Sequence, residues 1–425
     1  MTVAFKSREL IIHRPDFVSK ASTEAPARSP IGRQLLIDVS TIAQFDARTG
    51  IQRVVRAIAT ALQKISFPGA SVRLVAASRT SFYRVLPDNW LQRPADSRLD
   101  LAALPPVSVR AGDIFFGLDF STSILPQHER QIAQWRRDGV SINIVLYDLL
   151  PLSDRRWFTF RMQNNFRRWL KFTERHADHV IAISKTVAGQ FRSWQVRTRL
   201  SRARRVPISV ARLGSDISAS LPSRGLPSDS KRILQWMNRN PTILMVGTIE
   251  PRKGYDQALD AFRLLWSRSE PVQLIIIGRA GWKTARLQAR LRETAAADDR
   301  LVWLEGPSDE FLEQIYQRAN GLLVASNGEG FGLPIVEGLS HGLPVLVRDL
   351  PVFRELQGDG VTFFESKSSA ELANAIATWH RSSACSGTPA ARRTHSWEEA
   401  ASDIMNLLLA DASASSHRQQ EIPDG

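Results

Sequence analysis

SNGEGFGLPIVEGLSHGLPV, residues 326–345, is the stretch whose reading decides the fold. It follows one short apolar run, GLLVAS at 321–326, and leads into another, PVLVRD at 344–349. Short runs of branched apolar residues read as buried strands, and PIVEGLSHG (334–342) between them reads as a helix. Strand, glycine-rich loop, helix and strand make one unit of a parallel sheet. The glycines at 328, 330, 332 and 338 let the chain turn tightly and approach a ligand, and Pro334 suits the first helical position. The amides of Gly330, Phe331, Gly332 and Leu333 are then expected to converge at a helix N-terminus, with donors and dipole aimed at a phosphate. Glu329 and Glu337 bracket that turn. Beside an anion site a carboxylate is better suited to vicinal hydroxyls, of a sugar or a ribose, than to a metal. The plainer alternative is a structural turn with Glu337 as a solvated helix residue.

Outward from this unit the same alternation continues. TILMVGT (242–248), QLIIIG (273–278) and LVWLEG (301–306) read as strands. YDQALDAFRLLW (255–266), WKTARLQARLRETA and DEFLEQIYQRA read as the intervening helices. ELANAIATWH and WEEAASDIMNLLLA close the chain as helices. Upstream, QLLIDVS (34–40), SVRLVAA (71–77), DIFFGL (113–118), INIVLYD (142–148), HVIAIS (179–184) and ISVARLG (208–214) form a second series. Helical patterns separate them, among them IQRVVRAIATALQKI with Ile51, Val54, Val55, Ile58 and Leu62 at helical spacing. Two doubly wound α/β halves of similar size imply a cleft, with ligands at the strand C-termini that face it.

A second loop bears on that cleft. In VGTIEPRKGYDQALDAF (246–262) a strand ends at Gly247, and Arg252 and Lys253 precede a helix. Such a pair can neutralise a diphosphate leaving group, Arg as a bidentate fork and Lys as a point charge. Alone, the pair would read as an ordinary solvated loop; beside the glycine turn it reads as a phosphate clamp.

The spacing EGFGLPIVE resembles the signature of the retaining glycosyltransferases of the GT-B fold, family four, also known as glycosyl transferases group 1. The resemblance spans about 34–410 and is strongest in 242–365. It implies two Rossmann-like domains facing a central cleft, with C-terminal helices closing the chain. It implies that Glu337 holds the donor ribose, that Glu329 holds a hydroxyl of the transferred sugar, and that Arg252 and Lys253 meet the donor phosphates. Where many relatives carry an Arg soon after the glycine, this chain has Thr248. Loops like those at Gly278 and Gly306 border the nucleobase in similar enzymes. ARTGIQRVV (47–55) resembles the family's first-strand glycine loop, with Gly50 remaining of a usual pair; a helix cap by Thr49 is the plain alternative. VLYDLLPL (145–152) resembles an acceptor-facing segment in which several relatives have His; here Tyr147 precedes Asp148, an acceptor-side candidate that could equally be a strand-end cap. The expected division is an N-terminal arm (1–32), an acceptor-side domain (33–215), a linker (216–240), a donor domain (241–390), and a closing helix with a disordered tail (391–425).

Charge is distributed unevenly. Residues 1–215 carry 34 Lys and Arg against 16 Asp and Glu, and 216–425 carry 22 against 26. A basic first half suggests a polyanionic partner, or simply solubility. In DRRWFTFRMQNNFRRWLKF (154–172), helical spacing would gather Trp157, Arg161, Arg168 and Lys171 on one face. Such a face could meet an anionic membrane surface or be an ordinary basic helix face. No nucleic-acid motif accompanies it. No run of 18 apolar residues appears, and the N-terminus does not read as a secretory signal. The single cysteine, Cys385, fits a reducing cytosol. No metal-binding motif appears and no metal or other cofactor is expected beyond the nucleoside diphosphate sugar as co-substrate.

The sequence therefore predicts a cytoplasmic transferase, possible as a peripheral protein on the inner leaflet. It would move a hexose, mannose from GDP-mannose by the resemblance, onto a polyprenyl-diphosphate-linked saccharide in exopolysaccharide or O-antigen assembly. Rhamnose, glucose and galactose donors, a non-catalytic sugar-nucleotide-binding relative and a sugar-nucleotide epimerase are the competing readings.

Overall fold

Each apolar run read as a strand is one, and the strands sort into two sheets. The computed structural model describes residues 32–47, 49–65, 70–93, 99–198, 205–382 and 391–420. The N-terminal arm, apart from Gly32, and Cys385 lie outside these. The first lobe runs β1 (Arg33–Asp38), α1 (Ser40–Gln44), α2 (Gly50–Lys64), β2 (Ala70–Ala76), β3 (Arg84–Val85), β4 (Ile114–Gly117), α3 (Glu129–Arg137), β5 (Ser141–Leu146), α4 (Leu150–Ser153), α5 (Phe160–His176), β6 (His179–Ala182), α6 (Lys185–Thr198) and β7 (Ile208–Val210). The second runs α7 (Ser230–Met237), β8 (Thr242–Val246), α8 (Tyr255–Ser267), β9 (Gln273–Ile277), α9 (Ala285–Ala297), β10 (Leu301–Leu304), α10 (Asp309–Tyr316), β11 (Gly321–Val324), α11 (Leu333–Ser340), β12 (Val345–Arg348), α12 (Pro351–Arg354), β13 (Val361–Phe364) and α13 (Ser369–Arg381). A last helix, α14 (Trp397–Gln420), follows.

The first sheet has the order β3-β2-β1-β4-β5-β6-β7 and the second β10-β9-β8-β11-β12-β13. All pairings are parallel except β2 with the short β3. Alternate residues of a strand point to opposite faces, and each sheet is accordingly covered on both. Leu35 and Ile37 of β1 pack with α2, while Leu36 packs with Phe115, Phe166 and Trp169 on the other face. In the second lobe Ile243 and Met245 of β8 pack with α8 and α13, and Leu244 packs with α10 and α11.

Two expectations need correction. Within 216–240, read as a linker, α7 buries Ile233, Trp236 and Met237 in the second lobe's core; its eight residues were too short a pattern to stand out. The tail from Asp411, expected to be disordered, continues α14 to Gln420. That helix also returns to the first lobe, where Trp397, Ala400, Ala401, Ile404, Met405 and Leu408 join the core around α2. Trp397 Nε1 donates to Asp216 O at 2.8 Å, tying the returning chain to the outgoing one. The lobes belong to one compact unit, Gly32–Gly425. Among the described residues no helix is long and apolar enough to cross a membrane.

Candidate active site

The basic pair is fixed by its own backbone. Pro251 opens a 3-10 turn over Pro251–Lys253, and Gly254 ends it in the left-handed region at φ 74°. A Cβ at Gly254 would lie 2.2 Å from the Ala325 carbonyl oxygen, so only glycine lets this loop settle against the end of β11. The Asn327 amide donates to Arg252 O at 2.7 Å, which joins the loop to the glycine turn. Arg348, buried under both, donates through Nε to Ala325 O at 3.1 Å and through Nη2 to Gln257 Oε1.

Both cations converge on Glu329. Arg252 Nη1 lies 2.8 Å from Glu329 Oε2 and Lys253 Nζ 2.5 Å from Oε1; Ser326 Oγ donates to the same Oε1 at 2.8 Å. Arg252 also donates to Gly328 O at 2.8 Å and faces Glu250, with Nε 3.0 Å from its carboxylate. Burial pushes Glu329 up, but Arg252 and then Lys253 outweigh it and hold the carboxyl at about 2. Burial is also the largest influence on Glu250, which is raised despite Arg252. A small pocket lies against this group, lined by Lys253, Tyr255, Ser326, Glu329, Gly332 and Pro334 among others. Helix α11 starts at its wall, with Gly332 as N-cap and Pro334 second rather than first in the helix.

Glu337, one turn into α11, is buried rather than solvated. Its Oε2 accepts from the Tyr316 hydroxyl at 2.9 Å and its Oε1 from Arg53 Nη1 at 2.5 Å. Gly247, Gly278 and Gly306 line up at the ends of β8, β9 and β10. The Gly247 amide donates to Ile277 O at 2.9 Å and the Gly278 amide to Leu304 O at 3.0 Å. Tyr255 hydroxyl donates to Gly247 O at 2.6 Å, and the Arg279 side chain lies against Gly306.

The lobes touch across the turn. A Cβ at Gly330 would sit 2.1 Å from Tyr147 O and 3.2 Å from Asp148 Cβ, so this glycine marks a backbone-to-backbone approach between lobes. Phe331 and Leu333 pack their side chains on the first lobe's core, with Leu333 Cδ1 3.6 Å from where a Gly50 Cβ would be. Thr49 caps α2 in a full capping box with Gln52. Asp148 Oδ1 accepts the Leu150 amide at 3.0 Å, a strand-end cap that also faces Arg252. Burial raises it to about 6, against the pull of Arg252.

The basic-aromatic stretch divides. Helix α5 begins at Phe160, so Trp157 precedes it and is not on a face with Arg161, Arg168 and Lys171. Trp157 instead meets the second lobe: Trp282 Nε1 donates to its carbonyl at 2.7 Å, Phe158 stacks on Trp282 at 6.0 Å, and Gly328 abuts its ring. The sequence reading missed Arg53, Tyr316, Asp309 and Trp282, whose sole signal was a polar or aromatic residue at a helix or strand end.

Residues 228–402 match the family described as glycosyl transferases group 1. The serotype-specific mannosyltransferase WbdA of Escherichia coli is 36% identical over 349 residues, covering 82% of this chain and 41% of that protein. The O-antigen chain mannosyltransferase B of Escherichia coli is 28% identical over 228 residues, 52% of this chain and 58% of its own. This chain thus spans about two fifths of the length of the WbdA proteins. Anabaena HepE, solved with UDP-glucose, superposes with a TM-score of 0.58 at 18% identity, covering 92% of this chain and all of its own. Residues 228–402 thus match the glycosyl transferases group 1 family, and the chain is built on the GT-B fold.

Proposed function

We propose that this chain is a retaining hexosyltransferase that moves mannose from GDP-mannose to a lipid-linked saccharide. The observation that carries the reading is one pocket at the strand ends lined by Lys253, Glu329 and the start of α11, with Arg252 paired to Glu329 beside it. An entering diphosphate offers those cations a second anion and takes the 330–333 amides. The bond from the sugar's anomeric carbon to the phosphate oxygen breaks as the acceptor oxygen attacks from the same face. The acceptor proton passes to the departing phosphate oxygen, so no protein nucleophile is required. Charge growing on that phosphate is met by Arg252 and Lys253, which are already in place before the reaction. Glu329 stays ionised at any working pH and accepts from a hydroxyl of the transferred sugar while holding both cations. Glu337 takes the ribose hydroxyls.

Mannose as the sugar follows the named activities of WbdA and O-antigen chain mannosyltransferase B. A polyprenyl-diphosphate acceptor and a peripheral position on the inner leaflet follow the basic first half and the exposed Arg161, Arg168 and Lys171 of α5. No metal has a part in this scheme.

The experiment is a melting-temperature screen with GDP-, UDP-, dTDP- and ADP-sugars, followed by a transfer assay with the best of them. A stabilising GDP-mannose that is consumed only when acceptor is present supports the reading. Stabilisation without transfer to any saccharide acceptor would favour a binding protein, and free interconversion of donor sugars an epimerase.

A further inference from the structure

Arg53 lies within ARTGIQRVV (47–55), where only Thr49 and Gly50 have been given a role. It sits in the first turn of α2, three residues after Gly50, yet its guanidinium crosses into the second lobe. There Nη1 donates to Glu337 and Nη2 to Asp309. The side chains involved are 14%, 3% and 11% exposed, so this is a buried cation shared by two carboxylates. Helices α2 and α11 meet start to start, with Gly50 against Leu333. A helical side chain leans toward its own N-terminus, so Glu337 holds Arg53 over the first turn of α11.

We infer that Arg53 is a third donor-binding cation that changes partners, from Glu337 in the empty enzyme to the donor's diphosphate once ribose hydroxyls have taken Glu337. The inference rests on the diphosphate reading proposed above and adds a residue to it. Arg252 and Lys253 are already matched by Glu250 and Glu329, so that pair alone has no surplus positive charge for a diphosphate. Both oxygens of Glu337 are engaged, one by Tyr316 and one by Arg53, so a ribose must displace a partner. Tyr316 is fully buried in the same lobe as Glu337, whereas Arg53 reaches in from the other lobe and can withdraw. Released from Glu337, the guanidinium keeps Asp309 on Nη2 and has Nη1 free for a second anion, which a diphosphate oxygen supplies. Arg56, one turn further along α2, is paired with Asp46 and is not released by the same event.

The test compares each nucleoside diphosphate with its own nucleoside, GDP with guanosine and UDP with uridine, by calorimetry on the whole protein. Arg53→Ala is expected to weaken the diphosphate by about tenfold or more while binding the nucleoside as well as the native protein or better. Arg53→Lys keeps a charge beside the buried carboxylates but loses the fork; it should recover part of the diphosphate affinity and serves if the alanine variant does not fold. Unchanged diphosphate affinity in both variants overturns the inference. So does an equal loss of nucleoside and diphosphate, which would make Arg53 a strut between the lobes. If Arg252→Ala with Lys253→Ala abolishes diphosphate binding and Arg53→Lys changes nothing, this inference fails alone. If the native protein binds no nucleoside diphosphate, the proposed function fails with it.

Discussion

Both lobes bury carboxylates where their parallel strands end, and they hold them in opposite states. In the first lobe Asp38 ends β1 and Asp119 follows β4. Asp38 accepts the Ser121 hydroxyl at 2.9 Å, the Tyr83 hydroxyl at 3.3 Å and the Ser40 amide at 2.9 Å. Asp119 accepts the Thr41 and Ile42 amides at 2.7 and 2.9 Å. Burial raises Asp38 to about 6; burial and then the charge of Asp38 raise Asp119 to about 7. In the second lobe the Glu329 side chain is about 10% exposed, and Arg252 and Lys253 bring it to about 2. The strand end therefore does not decide the charge of its carboxylate; the loop from the neighbouring strand does. Hydroxyls and amides leave a group that protonates near neutrality, whereas an Arg and a Lys leave one ionised at every working pH.

Removing the cations should erase the contrast and have the largest effect. Arg252→Ala with Lys253→Ala leaves Glu250 without its cation and Glu329 with the Ser326 hydroxyl alone, and is expected to lower turnover by about 10²–10³, measured as sugar transfer at saturating donor. Gly330→Ala attacks the junction between the two regimes. Its Cβ cannot fit against Tyr147 O, so the lobes are held apart and turnover should fall by roughly 10² while the melting temperature changes little.

The pH dependence of stability sharpens the comparison from the other side. The raised groups, Asp38 and Asp119, bind more protons folded than unfolded between about pH 4 and 7. Their contribution to stability is whole below that window and is lost as pH rises through it. Asp119→Asn should flatten that slope by on the order of 2 kcal/mol in denaturant unfolding across the window. Glu329 has the reverse sign: its contribution is present above about pH 4.5 and is lost as pH falls toward 2, an acid limb that the double cation variant should lack. The smallest effect is expected at Thr49. Thr49→Ala removes the cap of α2 and should cost about 1 kcal/mol without changing either pH limb.

How much of this was legible in the sequence follows from what local pattern encodes. The strands declared themselves because a strand buried on both faces is apolar through its middle, as Leu35–Ile37 of β1 and Leu274–Ile277 of β9 are. The turn at 326–337 was legible because glycine and proline report backbone geometry directly. Arg53 was not: the spacing of Ile51, Val54 and Val55 marks the buried face of α2 but does not say that the next face meets another lobe. Asp309 read as an ordinary acidic residue at a helix start, and its partner is 256 residues away in the chain. Asp38 and Asp119 carry no mark of their own in the sequence; it is the sheet order, with β1 beside β4, that brings them together. The return of α14 to the first lobe follows from chain closure and has no local mark beyond its apolar residues.

The central claim is that the second lobe holds a departing diphosphate between Arg252, Lys253 and the amides at the start of α11. A crystal structure with an intact nucleoside diphosphate sugar tests it most directly. The account predicts phosphate oxygens within hydrogen-bond distance of Arg252, Lys253 and at least one amide of 330–333, with the ribose on Glu337. A diphosphate bound elsewhere, with Arg252 and Lys253 still closed on Glu329, would contradict it.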